Sequence, residues 1–108
     1  MTVKELLKNV AIDSLFNFNF DDQFDAYNAL CDSSKKIKAI VDEGLNDDSL
    51  DWEDIFRDKV DFDYRKNFIS QLYSKYDDID TNILYSKLVV DSIYDDRGMI
   101  MLDVHYEG

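Results

Sequence analysis

Carboxylates are the groups in this chain most able to do chemistry, and they are concentrated. The stretch DDSLDWEDIFRDKVDFD, residues 47–63, holds eight of them against Arg57 and Lys59, and it threads Trp52, Ile55, Phe56, Val60 and Phe62 between them. Clustered carboxylates serve as oxygen ligands for a hard cation, as general acids and bases, or as a charged face for a basic partner. Each use demands its own spacing.

The cation use is tested by two runs with oxygen donors at alternate positions, DDIDTN at residues 77–82 and NFNFDD at residues 17–22. A calcium loop needs glycine at its sixth position and glutamate at its twelfth. Counting from Asp78 those positions hold Ile83 and Val89, and counting from Asn17 they hold Asp22 and Asn28, so the template fails twice. No metal or other cofactor is expected. Catalysis has as little support. The lone histidine, His105, has no serine or cysteine nucleophile implied beside it, and Asp91 and Asp103 facing across a hairpin would be a chance pair among twenty aspartates. Zinc spacing and a phosphate-cradling glycine loop are both missing, and the chain is not expected to be an enzyme.

The third use fits the spacing. If Ser49 caps a helix running from Leu50 to about Val60, Trp52, Ile55, Phe56 and Val60 fall on one flank. Asp47, Asp51, Asp54, Asp58 and Asp61 then recur at steps of four, three, four and three on another, with Glu53 and Asp63 beside them. Helix neighbours at such steps lie about 5 to 6 Å apart, while phosphates along a duplex strand advance about 3.4 Å in axial rise and lie somewhat farther apart in space. A carboxylate row therefore imitates a phosphate row. Trp52 and Phe62 would add apolar anchors, although Trp52 at this spacing also suits the core. The plainer reading is a solvated face over an aromatic core. On the mimic reading, reversing Asp51, Asp54 and Asp58 to lysine abolishes partner binding and leaves the fold intact.

The charge distribution agrees. Of 24 acids and 12 bases, residues 42–63 hold ten acids and two bases, so two thirds of the net charge of -12 sits in one fifth of the chain. Direct binding to nucleic acid is disfavoured, because phosphate would be repelled, and a basic protein partner is favoured. Twenty of the acids are aspartate, a poor helix former, so helix solubility does not explain them; a skewed base composition in the genome would. An apolar content of 45% with fifteen aromatics is too rich for a disordered tail, and 108 residues suit one domain over its whole length. Neither a signal peptide nor a membrane-spanning run is visible, which leads us to expect a cytoplasmic protein. Cys31, unpaired and in an apolar stripe, reads as a structural thiol.

The elements that must position these groups follow from local signals. Thr2 and Glu5 have capping-box spacing and start a helix through Leu6, Leu7 and Val10, with room to continue to Leu15 and Phe16. FNFNF, residues 16–20, is either a strand or the end of that helix. Phe24, Tyr27, Leu30, Cys31, Ser34, Ile37 and Val41 predict one helix ended by Gly44, with Lys35, Lys36 and Lys38 in its second half facing the negative dipole end. Tyr64, Phe68, Ile69, Leu72, Tyr73 and Tyr76 predict another, capped by Asp63. Residues 87–94 and 99–106, joined by DDRG, predict a C-terminal hairpin, with Ile100, Leu102, Val104 and Tyr106 facing the helices and Met99 and Met101 outward. Residues 83–88 are either helix or a further strand. The fold class is α+β: three or four helices packed on a small antiparallel sheet that contains the hairpin.

In size, acidity, lack of a cysteine framework and placement of aromatics among aspartates at residues 42–63, the chain resembles the small inhibitors that phages and mobile elements make against host defence. Anti-CRISPR and anti-restriction DNA mimics are of this type. The resemblance implies stoichiometric binding to a basic nucleic-acid-binding protein such as a CRISPR effector or restriction enzyme. Immunity proteins and antitoxins that cover basic nuclease toxins look similar for the same physical reason. A housekeeping interaction domain, binding through the Met99 and Met101 side of the hairpin, is the alternative in which charge plays no part.

Overall fold

Short polar side chains start the helices of a chain that has no proline. The computed structural model describes residues 1–9 and 16–108. Helix α1 (Val3–Asn9) opens on the expected box: the Thr2 N–H donates to Glu5 Oε1 at 3.2 Å, and the Glu5 N–H donates to Thr2 Oγ1 at 3.2 Å. Its expected continuation over residues 10–15 lies outside the described residues. Phe16 belongs to a strand, which settles FNFNF as β1 (Phe16–Phe20), with Phe18 and Phe20 buried.

The long helix predicted through Ser34 is two helices, α2 (Gln23–Ser33) and α3 (Lys35–Gly44). Ser34 is extended (φ −137°, ψ 117°) and serves both: its N–H donates to the Leu30 carbonyl at 3.0 Å, and its hydroxyl accepts from the Ile37 N–H at 3.1 Å. Ser34 Oγ also donates to Asp78 at 2.7 Å, so a distant carboxylate holds the break. Apolar periodicity survived the break and concealed it. As a result Lys35, Lys36 and Lys38 sit in the first turns of α3, where the helix dipole disfavours cations, and Lys36 and Lys38 are instead matched to Asp77 at 2.7 Å and Asp42 at 3.3 Å. Gly44 closes α3 without a left-handed conformation. It is required for space, since a Cβ there would lie 2.9 Å from Ile55 Cγ1.

The helix predicted over residues 64–76 does not form. The Asp63 N–H donates to Asn67 Oδ1 at 3.0 Å, Asp63 Oδ1 accepts from the Arg65 N–H at 2.9 Å, and the Phe68 N–H donates to Gln71 Oε1 at 3.0 Å. Side chains that bond nearby amides offer the backbone an alternative to the helical ladder. Only a 3₁₀ turn remains, Ile69–Leu72, which buries Ile69 and Leu72. Asp80 then caps α5 (Thr81–Lys87), so residues 83–87 are helical and strand begins at Leu88.

Strands β2 (Leu88–Asp96) and β3 (Met99–Tyr106) form the expected hairpin. Arg97 and Gly98 both take positive φ, 56° and 82°, the conformation of a two-residue primed turn. The third strand is β1, parallel to β3 in the order β1-β3-β2, so the sheet is mixed rather than purely antiparallel. The fold is α+β, with five α-helices among the described residues. Leu102 and Val104 enter the core, and Ile100 and Tyr106 pack against it. The opposite face is not open at Met99 and Met101. Met101 is buried, and the Asn17 amide, itself bonded by Ser70 Oγ at 3.1 Å, donates to Met99 Sδ at 2.9 Å. Among the described residues no helix is long and apolar enough to cross a membrane.

Candidate protein-binding surface

The acidic segment is built from caps. Asp47 Oδ1 accepts from the Ser49 hydroxyl at 2.6 Å and the Ser49 N–H at 3.0 Å, which lowers the Asp47 pKa and commits Ser49 to a turn. Asp51 is the N-cap instead. Its Oδ1 accepts from the Asp54 N–H at 2.8 Å, and Asp54 Oδ2 accepts from the Asp51 N–H at 3.3 Å, the aspartate form of a capping box. The α-helix that follows, α4, spans only Trp52–Ile55.

From Phe56 the helix widens into a π turn, Phe56–Val60, and ends at Asp61 in the left-handed region (φ 64°, ψ 48°). The Phe62 N–H donates back to the Phe56 carbonyl at 2.8 Å. This ending turns Val60 and Phe62 into the same core, each at most 2% exposed, an arrangement that a continuing α-helix, with residues two apart on different faces, would not permit. The single helix from Leu50 to Val60, and with it the regular carboxylate row, is therefore not formed. Steps of three and four align charges only while the helix is α.

The carboxylates face outward but keep company. Arg57 bonds Asp58 at 3.1 Å and Asp54 at 2.9 Å, and the two anions hold the guanidinium proton more tightly than usual. The Asp51 amide, followed by Arg57, keeps the Asp54 pKa below its ordinary value. Asp61 pairs with Lys75, and Asp63 is committed to the Arg65 amide. Asp58 and Asp61 nevertheless remain 61% and 78% exposed in their side chains. The Asp48 and Glu53 side chains make no hydrogen bond among the described residues; Asp48 is exposed and Glu53 half-buried.

Trp52 is half-buried and packs against the core, as its helical spacing allowed. It stacks at 6.2 Å on Phe56 and at 6.4 Å on Tyr27, and meets Phe24 edge-on at 6.3 Å. Tyr27 and Phe56 stack at 4.1 Å, and Tyr64 meets Tyr27 edge-on at 6.4 Å. Phe24 is 46% exposed, so the cluster runs from the core to the surface. Carboxylates border it: the Tyr27 hydroxyl is pushed up to about 12, first by burial and then by the charge of Glu53, Tyr64 and Asp63. Phe24 and Tyr64 were legible only as helix-face apolar residues. Their meeting with Trp52 depends on packing between segments that local periodicity does not relate.

The remaining candidates are employed elsewhere. Asp77, Asp78 and Asp80 serve Lys36, the start of α3 and the cap of α5, and Asp22 caps α2. Asp103 accepts from Ser92 at 2.6 Å and Asn19 at 2.9 Å, while Asp91 lies against His105. No three His, Cys, Asp or Glu residues among the described ones are grouped to hold a metal ion. Comparison with protein-family models, with curated proteins and with solved structures finds no match to this chain.

Proposed function

We propose that this protein is a stoichiometric inhibitor that presents residues 47–63 as a DNA-like acidic surface to a basic nucleic-acid-binding protein of a host defence system. One observation carries the reading: the segment that holds Asp47 and Asp51 on backbone amides and leaves Asp58 and Asp61 exposed also contributes Trp52 to an aromatic cluster that reaches the surface at Phe24. Fixed charge gives steering and register, and the aromatic edge supplies the desolvated contact that charge alone does not. The mimicry is by a cluster of charges and not by a straight row.

The informative charge reversal differs from the one the sequence suggests, because Asp51 and Asp54 cap α4 and their replacement would disturb the segment itself. Asp48, Glu53 and Asp58 are the positions to reverse to lysine. The wild-type protein, immobilised in host lysate at low salt, is expected to retain a basic nucleic-acid-binding protein that duplex DNA releases, and the triple variant is expected to lose it. A partner that ignores DNA and salt, or that binds the triple variant normally, overturns the reading.

A further inference from the structure

We infer that the outer edge of β2, residues 92–96, is a strand-addition site for an extended basic segment of the partner. The hydrogen-bonding pattern sets the edge. In an antiparallel ladder, bonded and non-bonded pairs alternate. Counting from Asp96 opposite Met99, the pair that flanks the two-residue turn, the Ile93 and Asp95 main-chain groups point away from β3. The extra residue at the Asp91 bulge shifts this parity by one and so turns the Val90 N–H outward too, where it already has a partner, the Met1 carbonyl at 2.7 Å, beside an antiparallel bridge between Thr2 and Val89. The chain's own first residues thus begin a strand addition at the base of this edge. Beyond Val90, among the described residues, nothing continues it.

The side chains there select the occupant. Ile93 is 54% exposed and Tyr94 42%, on opposite faces of the strand, so a docked segment has an apolar contact on each side. Asp91, Asp95 and Asp96 are exposed, and Arg97 is the one base among residues 91–97. Natural edges are commonly guarded by lysine, proline or a bulge. Here the bulge lies before Ser92, and the only charges guarding residues 92–96 are the carboxylates of Asp95 and Asp96, which repel an acidic strand and attract a basic one. A second copy of the chain would bring aspartates against aspartates in a protein of net charge -12, whereas a strand carrying lysine or arginine would relieve that repulsion.

The inference rests on the reading of a basic partner, but it concerns a different surface, and the two fail separately. The probe is a synthetic peptide of alternating lysine and valine, about six residues long, titrated at physiological salt and followed by amide resonances of the whole protein. Shifts centred on residues 92–96, with exchange of the Ile93 and Asp95 amides slowed roughly tenfold, are expected. They should vanish with a peptide N-methylated at alternate amides and with Ile93→Pro, which removes only an outward N–H from the ladder. Ile93→Lys, which keeps the backbone N–H, tests the same edge by charge should the proline variant misfold. Shifts centred on residues 47–63, equal binding of the N-methylated peptide, or dimerisation of the protein through this edge overturns the inference. Lysate capture that fails while the peptide still docks on β2 would sink the inhibitor reading alone.

Discussion

His105 lies between two carboxylates, with Nδ1 2.8 Å from Asp91 and Nε2 3.2 Å from Glu107. Both acceptors are satisfied only when the ring carries two protons, so the charged form is favoured, first by Asp91 and then by Glu107, and the pKa is raised above 6.5. A raised folded-state pKa stabilises the fold fully below the unfolded value, and the contribution is lost as pH climbs through the folded value. We therefore expect the imidazole resonances to titrate above 6.5. The stability difference between wild type and His105→Gln should shrink across that interval, and a midpoint at or below 6.5 would deny the pairing. The sequence held the identity of His105 but not its partners, because Asp91 reaches it from the bulge between Val90 and Ser92. Caps were legible where one candidate stood alone, as with Thr2 and Glu5. They were misread where Ser49 and Asp51 competed, since only the path of the chain decides which one starts the helix.

Ser34 shows the same limit for whole elements. Buried, it ends one helix, starts the next and donates to Asp78, which the Lys36 amide also holds below its ordinary pKa. Ser34→Ala removes a cap and a buried bond together, and is expected to cost about 1 to 2 kcal/mol in chemical denaturation. Ser34→Thr should retain most of that stability. Equal stability of serine and alanine variants would mean that the break is held by packing alone. The hairpin was legible because its turn is set by two adjacent residues, Arg97 and Gly98. The segment at residues 64–76 was not, because apolar spacing records which residues are buried and not which acceptors the Asp63 and Phe68 amides will choose.

For the molecule as a whole, twice as many acids as bases means that folding gathers like charge. The eight ion pairs among the described residues, histidine included, lie at the surface and are screened by salt, and exposed pairs of this kind contribute little. Self-repulsion is therefore expected to dominate. Raising ionic strength from about 0.01 to about 0.15 M, which shortens the screening length from about 30 to about 8 Å, should raise the melting temperature of the wild type. The Asp48, Glu53 and Asp58 to lysine variant should respond less, and a melting temperature that falls with salt would show that the ion pairs prevail. The α+β class was legible from composition and from the hairpin. The parallel pairing of β1 was not, since a five-residue strand holds no sign of a partner so far along the chain.

That pairing also sets an order in time. Asn19 and Asp103 meet across the sheet although 84 residues separate them, and β3, the central strand, is the last element of the chain. At ribosomal speeds β1 must wait on the order of 4 to 17 s for its only strand partner among the described residues. During that interval Phe16, Phe18 and Phe20 have no sheet to join, so a growing chain offers the cell's chaperones a short aromatic stretch that the finished protein conceals.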